Sequence, residues 1–149
     1  DPSPPSQKET ANSVNEDGTV VGSTSYSLYG RRAVKWRRTG TPLILGLLPG
    51  GHDSEAFDIN ETEFVVGDSD RTVSRDSATV DRAFLFHIEF GMIELPPPVG
   101  NGYTLFSVCH ANALNDRKAN GLIQVVGSCT RNGEKHAMRW DVIVGERPD

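Results

Sequence analysis

The phrase Ala-x-x-x-Asn occurs three times, as Ala11–Asn15, Ala56–Asn60 and Ala111–Asn115, and each copy leads into the same Val-Val-Gly triplet. The triplets are Val20-Val21-Gly22, Val65-Val66-Gly67 and Val125-Val126-Gly127. Each copy then reaches an apolar phrase opened by alanine, at Ala33 to Trp36, Ala83 to Phe86 and Ala137 to Trp140. Repetition on this scale restricts the chain to copies of one supersecondary unit, each burying its apolar face on a neighbour.

The unit reads as four antiparallel strands. In the first copy, Ala11 to Asn15 alternates, and Asn15-Glu16-Asp17-Gly18 is a hairpin turn, because Asp-Gly tolerates the positive φ that such turns need. Thr19 to Thr24 returns, Arg32 to Arg37 is a third strand and Pro42 to Leu45 a fourth. The second copy turns at Glu61-Thr62 without the glycine, carries a polar second loop from Asp70 to Asp81, and stops at Pro96-Pro97-Pro98. The third copy has an insertion in its first hairpin around Asp116 to Gly121, and its fourth strand is missing or fused, since no turn separates Lys135–Asp141 from Val142–Val144. No 3.6-residue period persists, so helix is not expected. The chain divides into a flexible linker over 1–10 and one repeat domain over 11–149, with units near 11–55, 56–110 and 111–149.

A period of two assigns faces. Val34 with Trp36, Phe84 with Phe86, and Met138 with Trp140 should point into the core, while Lys35, Leu85 and Arg139 point the other way. The glycine of each triplet leaves room for a neighbouring backbone or ring. Continuing the hairpin register of the first copy, in which Ala11 meets Gly22, Ala111 should face Gly127, His110 should face Ser128, and Cys109 should face Cys129. Residues opposed in this way lie within disulfide reach, so the two thiols form either a disulfide or a buried reduced pair. A disulfide would imply an oxidising compartment.

The stretch Leu45-Gly46-Leu47-Leu48-Pro49-Gly50-Gly51-His52-Asp53-Ser54-Glu55-Ala56, followed by Ile59-Asn60 and Val65-Val66-Gly67, carries a family likeness. Across about residues 11 to 141, the repeat resembles the HAF family of extracellular repeat proteins. That family's unit combines Ala-x-x-Ile-Asn, Val-Val-Gly, Ala-Phe-x-Trp and Leu-Gly-x-Leu-Gly-Gly. The second copy departs in having Phe86 in place of tryptophan, and Pro96 to Gly102 replaces the Gly-Gly phrase before the third. The resemblance implies an all-β, β-propeller-like, secreted protein, extracellular or periplasmic, and it transfers no catalytic residue. Three copies are too few to close a propeller. Dimerisation through open sheet edges would complete a ring of blades, and a threefold β-prism or β-trefoil is the alternative.

Charge and composition narrow the function classes. A net charge of −5 with scattered basic residues disfavours nucleic acid. No apolar run is long enough to span a membrane as a helix. His52-Asp53-Ser54 holds the letters of a hydrolase triad, but adjacent residues diverge and the roles need one locus. The four histidines lack ligand spacing, and neither Asn15–Gly18 nor the Asp68, Asp70, Asp76 and Asp81 set completes a calcium motif, so no metal or cofactor is assigned. Loops that differ among copies, Ser25–Gly30, Asp70–Asp81 and Thr130–Gly133, are where a rigid repeat scaffold places recognition. The candidate ligand-binding residues are Tyr26, Tyr29, Asp70 and Arg71. The sequence favours an exported module binding a glycan, another ligand or a protein over an enzyme. The alternatives are a hydrolase with acidic residues gathered at the repeat axis and a self-associating structural module.

Overall fold

The computed structural model describes residues 7–26 and 29–145, Tyr26 by its backbone alone. Residues 1–6 of the expected linker, the Tyr26 side chain and two residues of its loop lie outside that set. The described residues are all-β, in three antiparallel sheets. β1 (Lys8–Val14), β2 (Val20–Tyr26), β3 (Gly30–Trp36) and β4 (Leu43–Gly46) form the first in sequence order. β5 (Ser54–Ile59), β6 (Val65–Thr72), β7 (Thr79–His87) and β8 (Gly91–Leu95) form the middle sheet in the same order. β9 (Cys109–Leu114), β10 (Leu122–Arg131) and β11 (Glu134–Ile143) form the third. Val142 and Ile143 continue β11 against β10, so no fourth strand follows it among the described residues.

Two boundaries move. Lys8, Glu9 and Thr10, placed in the linker, pair with Ser25, Thr24 and Ser23, because the β2 backbone extends far enough to template them. The loop expected over Asp70–Asp81 shortens to 73–78, since Asp70 and Asp81 face each other across β6 and β7.

The triplet glycine has a definite cause. Each first strand bulges one residue after its alanine, at Asn12, Phe57 and Asn112. The bulge drives a carbonyl of that strand toward the second strand. A Cβ on Gly22, Gly67 or Gly127 would stand 1.8, 2.0 or 1.8 Å from the carbonyl oxygen of Thr10, Glu55 or His110. Only glycine fits.

The repeated asparagine works in two directions. Its Oδ1 closes its own hairpin, accepting the N–H of Thr19, Phe64 and Gln124 in the three copies. Its Nδ2 reaches the next sheet: Asn15 donates to the Asn60 carbonyl at 3.2 Å, and Asn60 to the Asn115 carbonyl at 3.0 Å.

Two cores separate the sheets. One joins the first and middle sheets through Val21, Ala33, Leu45, Ile59, Val65, Phe84 and Phe86. The other joins the middle and third sheets through Phe64, Val66, Leu85, Leu95, Ile123, Val125 and Trp140, and includes the Cys109–Cys129 disulfide. No buried cluster joins the first and third sheets among the described residues, so the sheets stand in a row and none is closed on itself.

Lys35 departs from expectation. It points away from Val34 and Trp36 as the period requires, but that direction leads into the first core, leaving the residue 1% exposed. Both faces of a sheet in a row can be buried, which a one-sided reading of the period misses. Its Nζ makes no hydrogen bond and lies 3.8 Å from Glu63 Oε1. Burial lowers the lysine pKa, partly offset by Glu63. Glu63 holds φ at 64°, where Gly18 stands in the first copy with φ at 80°. The glycine missing from the second hairpin is thus replaced by the counter-ion of Lys35, at the cost of a strained backbone.

Candidate functional site

A groove of about 400 Å³ lies beside the proline run. Its floor follows from register. Ser69 pairs with Arg82, and Phe84 with Glu94, so Arg71, Arg82 and Glu94 share one face of the middle sheet. That face runs beyond the end of the first core, which leaves space above the three side chains. The 96–105 connection forms the wall, with Pro97, Tyr103 and Leu105 lining it. Arg131 lies 5.7 Å over the Tyr103 ring, a cation–π pair that steadies the aromatic.

The charges in the groove do not cancel. Glu94 takes Arg71 at 2.8 Å on one carboxylate oxygen and Arg82 at 3.2 Å on the other. Two guanidinium groups share one carboxylate. Arg82 is 4% exposed, donates a second bond to the Leu105 carbonyl, and has a buried Nε with no hydrogen-bond partner. Burial depresses its pKa, opposed by Glu94. An anion entering the groove would meet a positive field in a partly apolar setting, where electrostatic attraction is stronger than in water.

A second, smaller pocket of about 140 Å³ draws residues from all three sheets: Arg31 from the first, Glu55, Asp68 and Asp81 from the middle, His110 from the third. His110 Nδ1 is bonded to Asp68 Oδ2, and the other Asp68 oxygen accepts the Ala111 N–H at 3.1 Å. The bond to Asp68 raises the imidazole pKa. Burial pushes the Asp68 carboxyl up, against the pull of His110. The serines here are committed elsewhere. Ser54 Oγ donates to the Gly46 carbonyl and accepts the Ala33 N–H, while Ser69 Oγ donates to the Asp70 carbonyl and accepts the Leu48 N–H.

Of the candidate ligand residues, Arg71, Asp70 and Tyr29 do not converge, and the Tyr26 side chain lies outside the described residues. Arg71 lines the groove. Asp70, its neighbour along β6, points to the opposite face and serves as a fastener, accepting the backbone N–H groups of His52 at 2.6 Å and Asp53 at 2.8 Å. Asp53 in turn accepts the Arg31 N–H at 2.7 Å, so Asp70 holds the connection that holds β3. Tyr29 is exposed at the turn before β3, away from both pockets. His52, Asp53 and Ser54 diverge as adjacent residues must. No cluster of three or more metal-ligating side chains occurs among the described residues.

Arg82, Glu94 and Tyr103 carry the groove and were not singled out in the sequence. The signal was present for two of them, because Arg82 and Glu94 are charges set inside apolar strand phrases, Arg82-Ala83-Phe84-Leu85-Phe86 and Met92-Ile93-Glu94-Leu95. Tyr103 gave none, since only the course of the 96–108 connection brings it to the site.

Comparisons with protein-family models, with curated proteins and with solved structures found no match.

Proposed function

We propose that this chain is an exported, propeller-like repeat module that binds an acidic ligand, an acidic oligosaccharide first among them, in the groove beside Pro96–Pro98. One observation carries the reading: Arg71 and Arg82 share a single carboxylate in a groove with an apolar wall, leaving positive charge uncancelled. A sugar carboxylate would take the free donors of Arg71, and ring faces would lie along the prolines and Leu105. Export is supported by the cross-strand disulfide, which persists in oxidising compartments. It is supported too by the likeness of the repeat to HAF proteins.

The test is an array of acidic and neutral oligosaccharides followed by calorimetric titration of any hit. Affinity should fall at least tenfold in Arg71→Ala and weaken with salt, while Tyr29→Ala should leave it unchanged. Equal binding of neutral and acidic sugars, or silence across the array, would sink the reading.

The pocket around His110 favours a second reading, acid–base catalysis, because carboxylates of the middle sheet and a histidine of the third meet there beside Arg31 of the first. With Nδ1 bonded to Asp68, the histidine keeps Nε2 for a substrate proton. The committed serines leave water as the nucleophile. Turnover of chromogenic glycosides and esters between pH 5 and 8 that His110→Gln abolishes would support it; rates equal to buffer would dismiss it.

A further inference from the structure

The row of sheets ends in mid-pattern. In the middle sheet, Ile59, Val65, Phe84 and Phe86 are buried against the first sheet. Register places Leu114, Val125, Met138 and Trp140 at the same positions of the third sheet, packed against the middle one. The counterparts in the first sheet are Val14, Val20, Val34 and Trp36; among the described residues no sheet lies on that side of them, although Val34 is itself buried at 1% exposure. Val14 is 60% exposed, and Ile44 on the same face is exposed as well. The opposite face repeats the pattern. Val21 with Lys35, and Val66 with Leu85, are buried against the following sheet, whereas Val126 with Arg139 meets no further sheet among the described residues and Val126 is 47% exposed.

The polar ladder is open in the same sense. Besides the asparagine bonds, the Glu16 N–H donates to the Glu61 carboxylate at 3.1 Å, and the Glu61 N–H donates to Asp116 Oδ1 at 2.9 Å. Every rung runs from one copy to the next. At the last copy, Asn115 Nδ2 turns back to Gln124 Oε1 in its own sheet. At the first copy, the Asn15 carbonyl accepts the Gly18 N–H and no other donor among the described residues, where its counterpart Asn60 accepts both Glu63 and Asn15. One end therefore offers donors, and the other offers the matching acceptors. Asn112 repeats this correspondence. It occupies the place of Asn12, whose Nδ2 donates across the first seam to the Ala56 carbonyl at 2.8 Å.

We propose that the outer face of the third sheet receives the outer face of the first sheet of a second copy, so that two chains close head to tail into one ring of six sheets. The interface would repeat the two joins already inside the chain. Asn115 Nδ2 would meet the Asn15 carbonyl of the partner subunit, the Asp116 N–H would meet the carboxylate of Glu16 of the partner subunit, and Val126 would enter against Val20 and Trp36 of the partner subunit. A head-to-tail contact made twice about a twofold axis is closed and buries both ends. This inference rests on the propeller-like part of the proposed function and not on the ligand, and its readout is mass rather than binding.

Light scattering during size exclusion, with sedimentation velocity across the micromolar range, should give twice the 16.2 kDa chain mass. Val126→Arg and Val14→Arg, both at exposed sites and each spoiling a different end, should separately give monomers with an unchanged far-ultraviolet spectrum. Mixed together, they keep one intact pair of ends and should recover a two-chain species. Asn115→Asp keeps the oxygen that caps the hairpin and removes the donor, and should weaken the dimer at least tenfold. A monomer at every concentration, a ladder of masses that does not stop at two, or full dimer from either arginine variant alone would overturn the closure.

Discussion

The two seams of this molecule occupy equivalent positions, and each has an apolar core, but they differ in how much polar chemistry is buried with it. Between the first and middle sheets the apolar core is flanked by buried polar groups. Lys35 sits where Leu85 sits in the next seam, Glu63 faces it, and Glu55 gathers Arg31, Ser23 and Asn12. Ser54 and Ser69 then stitch the middle sheet to backbone groups of the first. Between the middle and third sheets the seam is largely dry at its centre. At the positions of Ser54 and Ser69 stand Cys109 and Cys129, joined covalently within the third sheet. The shared strand register therefore sets where a side chain goes but leaves open how the seam is held. Apolar burial holds both; side-chain hydrogen bonds and a buried lysine add to the first, and a disulfide within the three-stranded sheet adds to the second.

The largest expected effect breaks the dry seam with the wet seam's residue. Leu85→Lys puts an ammonium group among Val66, Leu95 and Ile123 without a counter-ion, and should cost on the order of 4 kcal/mol in urea unfolding. The reverse exchange, Lys35→Met, should be neutral or stabilising by about 1–2 kcal/mol, because it removes a buried ammonium that makes no hydrogen bond. A loss from Lys35→Met as large as that from Leu85→Lys would erase the contrast between the seams.

Reducing the disulfide should lower stability by about 3 kcal/mol, the usual scale for a loop of this size. Unfolding curves with and without reductant, and of the double variant Cys109→Ser with Cys129→Ser, measure it. Hydrogen exchange should show the loss concentrated in β9 to β11.

Glu63→Gly sharpens the account of the polar seam. Glycine relieves a positive φ worth roughly 1 kcal/mol but strands Lys35, so the single variant should lose about 1–2 kcal/mol. In a Lys35→Met background the same change should become stabilising. A double-mutant cycle with no coupling would show that Glu63 is not there for Lys35.

The smallest effect is a pH slope where the middle and third sheets meet. His110 has a raised folded pKa, so its contribution is fully present below the unfolded value near 6.5 and is lost as pH rises through the folded value. Stability should therefore decline above about pH 6.5, and His110→Gln should flatten that decline. The raised Asp68 carboxyl acts in the same direction at lower pH, since a buried carboxylate is penalised once ionised.

Strand content, the hairpins and the cysteine register were legible because they depend on near neighbours, Asp-Gly at a turn and alternation along a strand, whereas the bulge opposite each triplet glycine appears only in the strand pairing. The groove was mostly hidden. Arg71, Arg82, Glu94 and Tyr103 are scattered along the chain and meet only after the middle sheet is paired and the 96–108 connection folds back over it. The structural part played by Asp70 was hidden for the same reason. As a charged residue beside a polar stretch it resembled a ligand group, and only the neighbouring connection shows that it holds the N–H groups of His52 and Asp53.

Sequence alone determined the local geometry of this protein: its strands, its hairpins, the glycine forced by each bulge, and the threefold Asn that closes each turn. These follow from backbone sterics and hydrogen bonds over short separations. The tertiary structure decided which face of each sheet was buried and by what. A period of two defines two faces but does not say how many of them will meet another sheet. Lys35, Leu85 and Arg139 share one position in the repeat, and they end beside a counter-ion, in a dry core and in solvent. Stacking order alone separates those outcomes.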